Sequence, residues 1–232
     1  MKAKQKAIIV SFLMLFPLFM TNTGESLDKN VSNEAIQIES DWEHFLQMMR
    51  NASHESMSSM QNALLCGYVK DEETGNAIEN ATVYVFHDNA LTNLTTDRNG
   101  FYSIYLEAGK IYIYCNALGY YFKNVGSFDI KEYETLWINI SMKKAPPQNS
   151  VVCGYIKDKI TNDKIENARV ESLWRDSKGN IVWNTSHTDE KGLYEIKVPA
   201  GNVSISAYAP GYLWEGSNIY FIKEGERFWI IV

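Results

Sequence analysis

Between Leu65 and Val232 the chain repeats itself, and this repetition constrains its fold more than any other feature. From Leu65 it reads L-C-G-Y-V-K-D-E-E-T-G-N-A-I-E-N-A-T-V, and from Val152 it reads V-C-G-Y-I-K-D-K-I-T-N-D-K-I-E-N-A-R-V, an offset of 87 residues. Further on, T-D-R-N-G-F-Y-S-I at Thr96 matches T-D-E-K-G-L-Y-E-I at Thr188, and A-L-G-Y at Ala117 matches A-P-G-Y at Ala209, now at an offset of 92. A five-residue insertion around Trp174 to Ile181 accounts for the change and predicts a longer hairpin in the second copy. Self-similarity of this kind means one structural unit made twice.

Within each copy apolar residues recur at every second position. Leu65, Gly67 and Val69, then Ala81, Val83 and Val85, then Ile111, Ile113, Cys115 and Ala117 share faces in the first copy. Val152, Gly154 and Ile156, with Tyr194, Ile196 and Val198, do so in the second. A period of two is that of strands with one buried face. Turn sequences such as E-T-G-N at Glu73, D-R-N-G at Asp97 and P-A-G-N at Pro199 separate the runs. About seven short strands with no intervening helix predict an antiparallel β-sandwich, so the fold class is all-β with two tandem sandwiches.

The expected domains are 64–143 and 151–232, joined by 144–150, where Pro146 and Pro147 favour an extended link. Ahead of them, residues 24–63 should hold a short amphipathic helix and a flexible spacer. Ser40 and Glu43 suit a capping box, and Ile38, Trp42, Phe45, Leu46 and Met49 fall on one helical face. Residues 1–23 have the layout of an export signal: Lys2, Lys4 and Lys6, then an apolar run from Ala7 to Met20, then polar residues. A helix of that run spans about 21 Å, short of a roughly 30 Å hydrocarbon core, which favours cleavage over a permanent anchor. Membrane contact is expected only if this segment stays uncleaved.

Export agrees with the sequons Asn30, Asn51, Asn80, Asn93, Asn139, Asn184 and Asn202, all candidate glycosylation sites. Cys66, Cys115 and Cys153 are odd in number, so disulfides do not build the fold. By strand parity Cys115 is a core residue, whereas Cys66 and Cys153 fall on the outward phase, open to a second molecule. The net charge of −6 disfavours nucleic acid as a partner.

The order G-x-V/I-x-D-x-x-T at Gly67 and Gly154, I-x-x-A-x-V at Ile78 and Ile165, T-D-x-x-G-x-Y at Thr96 and Thr188, then A-G and A-x-G-Y, resembles the carboxypeptidase regulatory-like domain. The resemblance implies a transthyretin-like seven-stranded sandwich in each copy, without catalysis of its own. It departs at Asn162, where the family usually has glycine, so the first turn of the second copy should differ in shape.

No catalytic residue, metal or cofactor is expected. The histidines His44, His54, His87 and His187 form no H-E-x-x-H pair and are read as surface residues. Asp71 and Asp97 sit in turns that either cap their own backbone or hold calcium weakly, and the first reading is the simpler. Outward aromatics are more informative: Tyr84, Phe86, Tyr105, Tyr112, Tyr114 and Trp137 in the first copy, Trp214 and Trp229 in the second. They either support the framework, the N-terminal helix included, or form a binding platform, for which Tyr112, Tyr114 and Trp137 are the candidate ligand-binding residues. The chain is therefore read as a secreted or cell-surface structural protein contacting an extracellular protein or glycan. A carbohydrate-binding module, or an accessory piece of a larger surface protein, are the alternatives.

Overall fold

In a computed structural model the described residues are 37, 40–49, 63–88, 90–212 and 219–230. The signal-like segment, Asn30, Asn51, His54 and Trp214 lie outside them. Apart from one helix (α1, residues 40–49), the regular structure among the described residues is mainly strand. The chain divides into two compact units, one made mainly of Asn33–Pro146 and the other mainly of Pro147–Val232.

The first unit contains β1 (Ala63–Asp71), β2 (Thr82–His87), β3 (Ala90–Thr95), β4 (Phe101–Leu106), β5 (Gly109–Asn116), β6 (Lys123–Ile130), β7 (Thr135–Trp137) and β8 (Ile140–Met142). One sheet runs β4-β1-β7 with β8 also on β1, and the other runs β3-β2-β5-β6. Leu65, Val69, Val83, Ile111, Ile113 and Met142 fill the space between them and are fully buried. The second unit contains β9 (Ser150–Tyr155), β10 (Arg169–Arg175), β11 (Ile181–His187), β12 (Leu193–Val198), β13 (Gly201–Tyr208), β14 (Ile219–Ile222) and β15 (Arg227–Ile230). Its sheets, β12-β9-β15 and β11-β10-β13-β14, have the same order and enclose Val152, Val170, Ile196, Val203 and Ile222. The inserted residues lengthen the β10–β11 hairpin, whose last pair is Arg175↔Ile181, against His87↔Ala90 in β2–β3.

Three pairings depart from an all-antiparallel sandwich. β7 and β8 run parallel to β1, and β15 runs parallel to β9. Alternation of side chains is the same in both directions, so the sequence pattern does not distinguish them.

The shared motif residues are consumed by the framework. Tyr102 crosses the core and donates its hydroxyl to the Ile138 carbonyl at 2.6 Å, beside Gly67, where a Cβ would strike the same peptide. Thr96 Oγ1 donates to Ile78 O at 2.7 Å and accepts from Ala81 N, and Thr188 does likewise with Ile165 O and Ala168 N. Asp97 Oδ1 accepts from Asn99 N and Phe101 N at 2.8 Å, the turn-capping reading. Asp71 is buried: Oδ1 accepts from Glu73 N and Thr74 N, and Oδ2 accepts from the Tyr120 hydroxyl at 2.9 Å. These donors hold its carboxyl well below the usual range, with Thr74 N the strongest cause, whereas burial and the Asp71 bond push Tyr120 up to about 12. Asp158 and Tyr212 repeat the pair. The turn at Asn162 is not reshaped: Asn162 has φ 60°, Gly75 has φ 71°, and each amide donates to the preceding aspartate's carbonyl. Asparagine tolerates the left-handed region better than other side chains, so it replaces glycine there without a new geometry.

Two surface expectations fail. Cys66 and Cys153 are on the outward phase yet buried, because each small side chain lies in register beside a tryptophan, Trp137 in one case and Trp229 in the other. Arg227 Nη1 also donates to Cys153 Sγ at 3.0 Å. All three cysteines are unpaired, and burial pushes the Cys115 thiol up to about 12. His87 is likewise buried, its ring pressed against Gly109, where a Cβ would meet Nε2 at 2.7 Å.

Candidate functional site

The outward aromatics separate into two groups because they belong to different sheets. Tyr84, Phe86, Tyr112 and Tyr114 project from β2 and β5 toward α1. Phe45 of α1 is fully buried among them, with ring centroids 5.3 Å from Tyr84, 5.0 Å from Tyr114 and 4.8 Å from Phe122. Trp42 is buried beside Phe122 in edge-on contact, and His44 Nδ1 shares a 2.6 Å hydrogen bond with the Tyr114 hydroxyl. At the corresponding registers of β10 and β13 the second unit carries Glu171, Leu173, Ser204 and Ser206. The aromatic face thus occurs only where a helix covers it, which is the framework explanation. Helix entry differs from the expected capping box: Ser40 is itself helical, as is residue 37, and Gln37 Nε2 donates to Asp41 Oδ1.

The proposed trio is therefore not assembled. Tyr114 is sealed under α1, Tyr112 is half-buried against His44, and Trp137 stands on the opposite sheet. Of the sequons, Asn80, Asn93, Asn139 and Asn202 are exposed. Asn184 is buried and spends its amide donors on Lys197 O at 2.7 Å and Gln148 Oε1 at 2.8 Å, which leaves no nitrogen for a glycan.

Around Trp137 a different group forms. Trp137 is 56% exposed and lies nearly parallel to Tyr68, centroids 6.2 Å apart at 23°, with Phe101 on β4 flanking both. Lys70 Nζ is 5.6 Å from the Tyr68 ring centre, in cation–π range. The second unit repeats the arrangement: Trp229 and Tyr155, each 44% exposed, stack at 6.2 Å and 28°, and Lys157 Nζ is 5.9 Å from Tyr155. β1 and β9 supply the tyrosine, β7 and β15 the tryptophan, on outer faces over Cys66 and Cys153. In the second unit an Arg227–Glu195 ion pair borders the site. The sequence signal was C-G-Y-V-K-D against C-G-Y-I-K-D, in which tyrosine and lysine recur without a turn or core reason.

No group of three or more histidine, cysteine or acidic side chains among the described residues is placed to hold a metal, and no helix among them is long and apolar enough to cross a membrane.

The carboxypeptidase regulatory-like domain family matches residues 65–143. No curated protein matches the chain. Among solved structures, the chain is similar to the TIE protein of Bacillus anthracis, with 21% identity over 73% of this chain and 33% of that one and a TM-score of 0.33. A streptococcal ancillary pilin aligns at 13% identity over 75% of this chain and 62% of that one, TM-score 0.35. The shaft pilin SpaA of Lactobacillus rhamnosus GG aligns at 11% over 73% and 96%, TM-score 0.31. The chain spans a third of the first of these proteins and under two thirds of the second. Overlaps this loose say nothing about function.

Proposed function

We infer that this is an exported, non-catalytic surface protein whose two sandwiches, both of the carboxypeptidase regulatory-like kind, are contact modules acting through Tyr68–Trp137 and Tyr155–Trp229. One observation carries the reading. Most residues shared by the two copies have a framework task, in the core, in a turn or in a buried hydrogen bond, whereas the shared lysine and tyrosine have none and, with the tryptophan beside each buried cysteine, converge on one exposed patch in each unit. Tyrosine and tryptophan offer large, rigid contact area at little entropic cost, and they dominate the energetics of protein interfaces. An extracellular setting is supported by the signal-like N-terminus and the sequons.

The test compares the parent chain with Trp137→Ala, Trp229→Ala and the double variant for retention on an extracellular protein fraction and on a glycan array. The double variant should lose at least about tenfold in retention with its melting temperature unchanged, since a central aromatic anchor is worth about 2 kcal/mol or more. Retention indifferent to both tryptophans would refute the assignment. Loss confined to the glycan array would move the ligand from protein to sugar. A hydrolytic turnover abolished by one substitution would overturn the non-catalytic reading.

A further inference from the structure

The free edges of the two units differ in chemistry. β6 in the first unit and β14 in the second each close their sheet and, among the described residues, pair with one neighbour, β5 and β13. An unpaired edge offers a row of backbone donors and acceptors to any other strand, and proteins blunt such edges with charge, bulges and polar side chains. The registers allow comparison residue by residue. In the first unit Tyr112 faces Ser127 and Lys110 faces Asp129; in the second, Ser204 faces Ile219 and Asn202 faces Phe221. β6 thus presents serine and aspartate on its outer side, and its ladder is interrupted by a bulge at Ile113/Tyr114 near Gly126 at φ 125°. β14 is regular over its four pairs and presents Ile219 and Phe221, 65% and 67% exposed.

We propose that β14 is a self-docking strand, to which β14 of a second copy of this chain adds antiparallel, joining two four-stranded sheets into one. Face matching restricts the register, because a slip of one residue turns every side chain to the wrong side. Centring the pair on Tyr220 sets Ile219 opposite Phe221 of the partner subunit and Phe221 opposite Ile219 of the partner subunit, apolar against apolar on the outer face. Centring on Phe221 would set Ile219 opposite Lys223 of the partner subunit. The strand is therefore its own best complement. Two apolar side chains and a four-residue ladder from each copy bury well under the roughly 1,200 Å² of a standard stable interface, so the dimer is weak, with a dissociation constant on the order of 100 μM.

The experiment is sedimentation velocity of the full chain from about 10 μM to 1 mM, a range bracketing that constant. The chain is produced without N-linked sugars because Asn202 faces Phe221. The expected result is a concentration-dependent dimer that Ile219→Ser with Phe221→Asp, the residues β6 carries at the same register, weakens at least tenfold. A second readout fixes the register. Under mild oxidation with diamide, I219C chains mixed with F221C chains give a disulfide-linked dimer, because directly opposed strand residues lie within disulfide reach, whereas neither variant alone does. A monomer at every concentration, a dimer indifferent to the double substitution, or self-linking of I219C would overturn the proposal.

Discussion

Gly67 and Gly154 occupy the same place in the repeat but are glycine for different reasons, and this sets up a quantitative comparison. A Cβ on Gly67 would overlap the carbonyl oxygen of Ile138 and sit 2.6 Å from its carbonyl carbon. That residue is held on both sides: Ile138 N donates to Cys66 O at 2.8 Å, and Ile138 O accepts from the buried Tyr102 hydroxyl. Relieving the clash of Gly67→Ala means displacing backbone and parting the Tyr102 bond. The unsatisfied buried group costs about 1–3 kcal/mol and overpacking about the same again. A total of about 4 kcal/mol is a large share of a small domain's stability, about 5–15 kcal/mol. The three atoms nearest a Cβ on Gly154 all belong to the Tyr194 side chain, its hydroxyl at 2.8 Å and Cε1 at 2.9 Å among them, and a ring can tilt. Gly154→Ala should cost about 1–2 kcal/mol. Hydrogen exchange read by mass spectrometry under increasing urea reports each unit separately. It should show β1 to β8 opening early in Gly67→Ala and β9 to β15 only slightly weakened in Gly154→Ala. Equal or reversed costs would refute the backbone-clash reasoning.

Other outcomes follow from the same geometry. Phe45→Ala removes the plug between α1 and β5; the local cost of about 3–5 kcal/mol should undock the helix and red-shift Trp42 emission while β1 to β8 still melt cooperatively. Asp71→Asn should lower the melting temperature at neutral pH. The Asp71 carboxyl has its folded pKa depressed, so its stabilisation is complete above its ordinary value of 3.8 and lost as pH falls through the lower folded value; melting curves of parent and variant should converge across that acid range. The three thiols should resist a thiol reagent in the native protein and react together only on denaturation, Cys115 being fully buried with its pKa pushed up to about 12. Peptide mapping of glycosylated material should find Asn184 bare, since its amide is bonded inside the fold.

The strands, the longer second hairpin and the inward Cys115 were legible because side-chain alternation and turn residues are local properties. What was not legible depends on which strand lies beside which. Tyr112, Tyr114 and Trp137 share an outward phase, but phase does not say that β5 and β7 belong to opposite sheets. For the same reason Cys66 reads as exposed until Trp137 is known to flank it. The acidic turn at Asp71 looks like an oxygen-rich loop until Tyr120, 49 residues away in sequence, is found donating into it. His87 reads as a surface residue because the glycine that lets its ring lie buried, Gly109, is on another strand.

The parallel pairing of the closing strand with the opening one decides how each sandwich answers a pull. The chain enters a unit at one end of β1 or β9 and leaves from the opposite end of β8 or β15. Tension along the backbone therefore slides these neighbours past each other and loads the whole ladder at once, where a hairpin closure would unzip one rung at a time. A stretched unit thus meets the load in shear, a property set by strand direction alone.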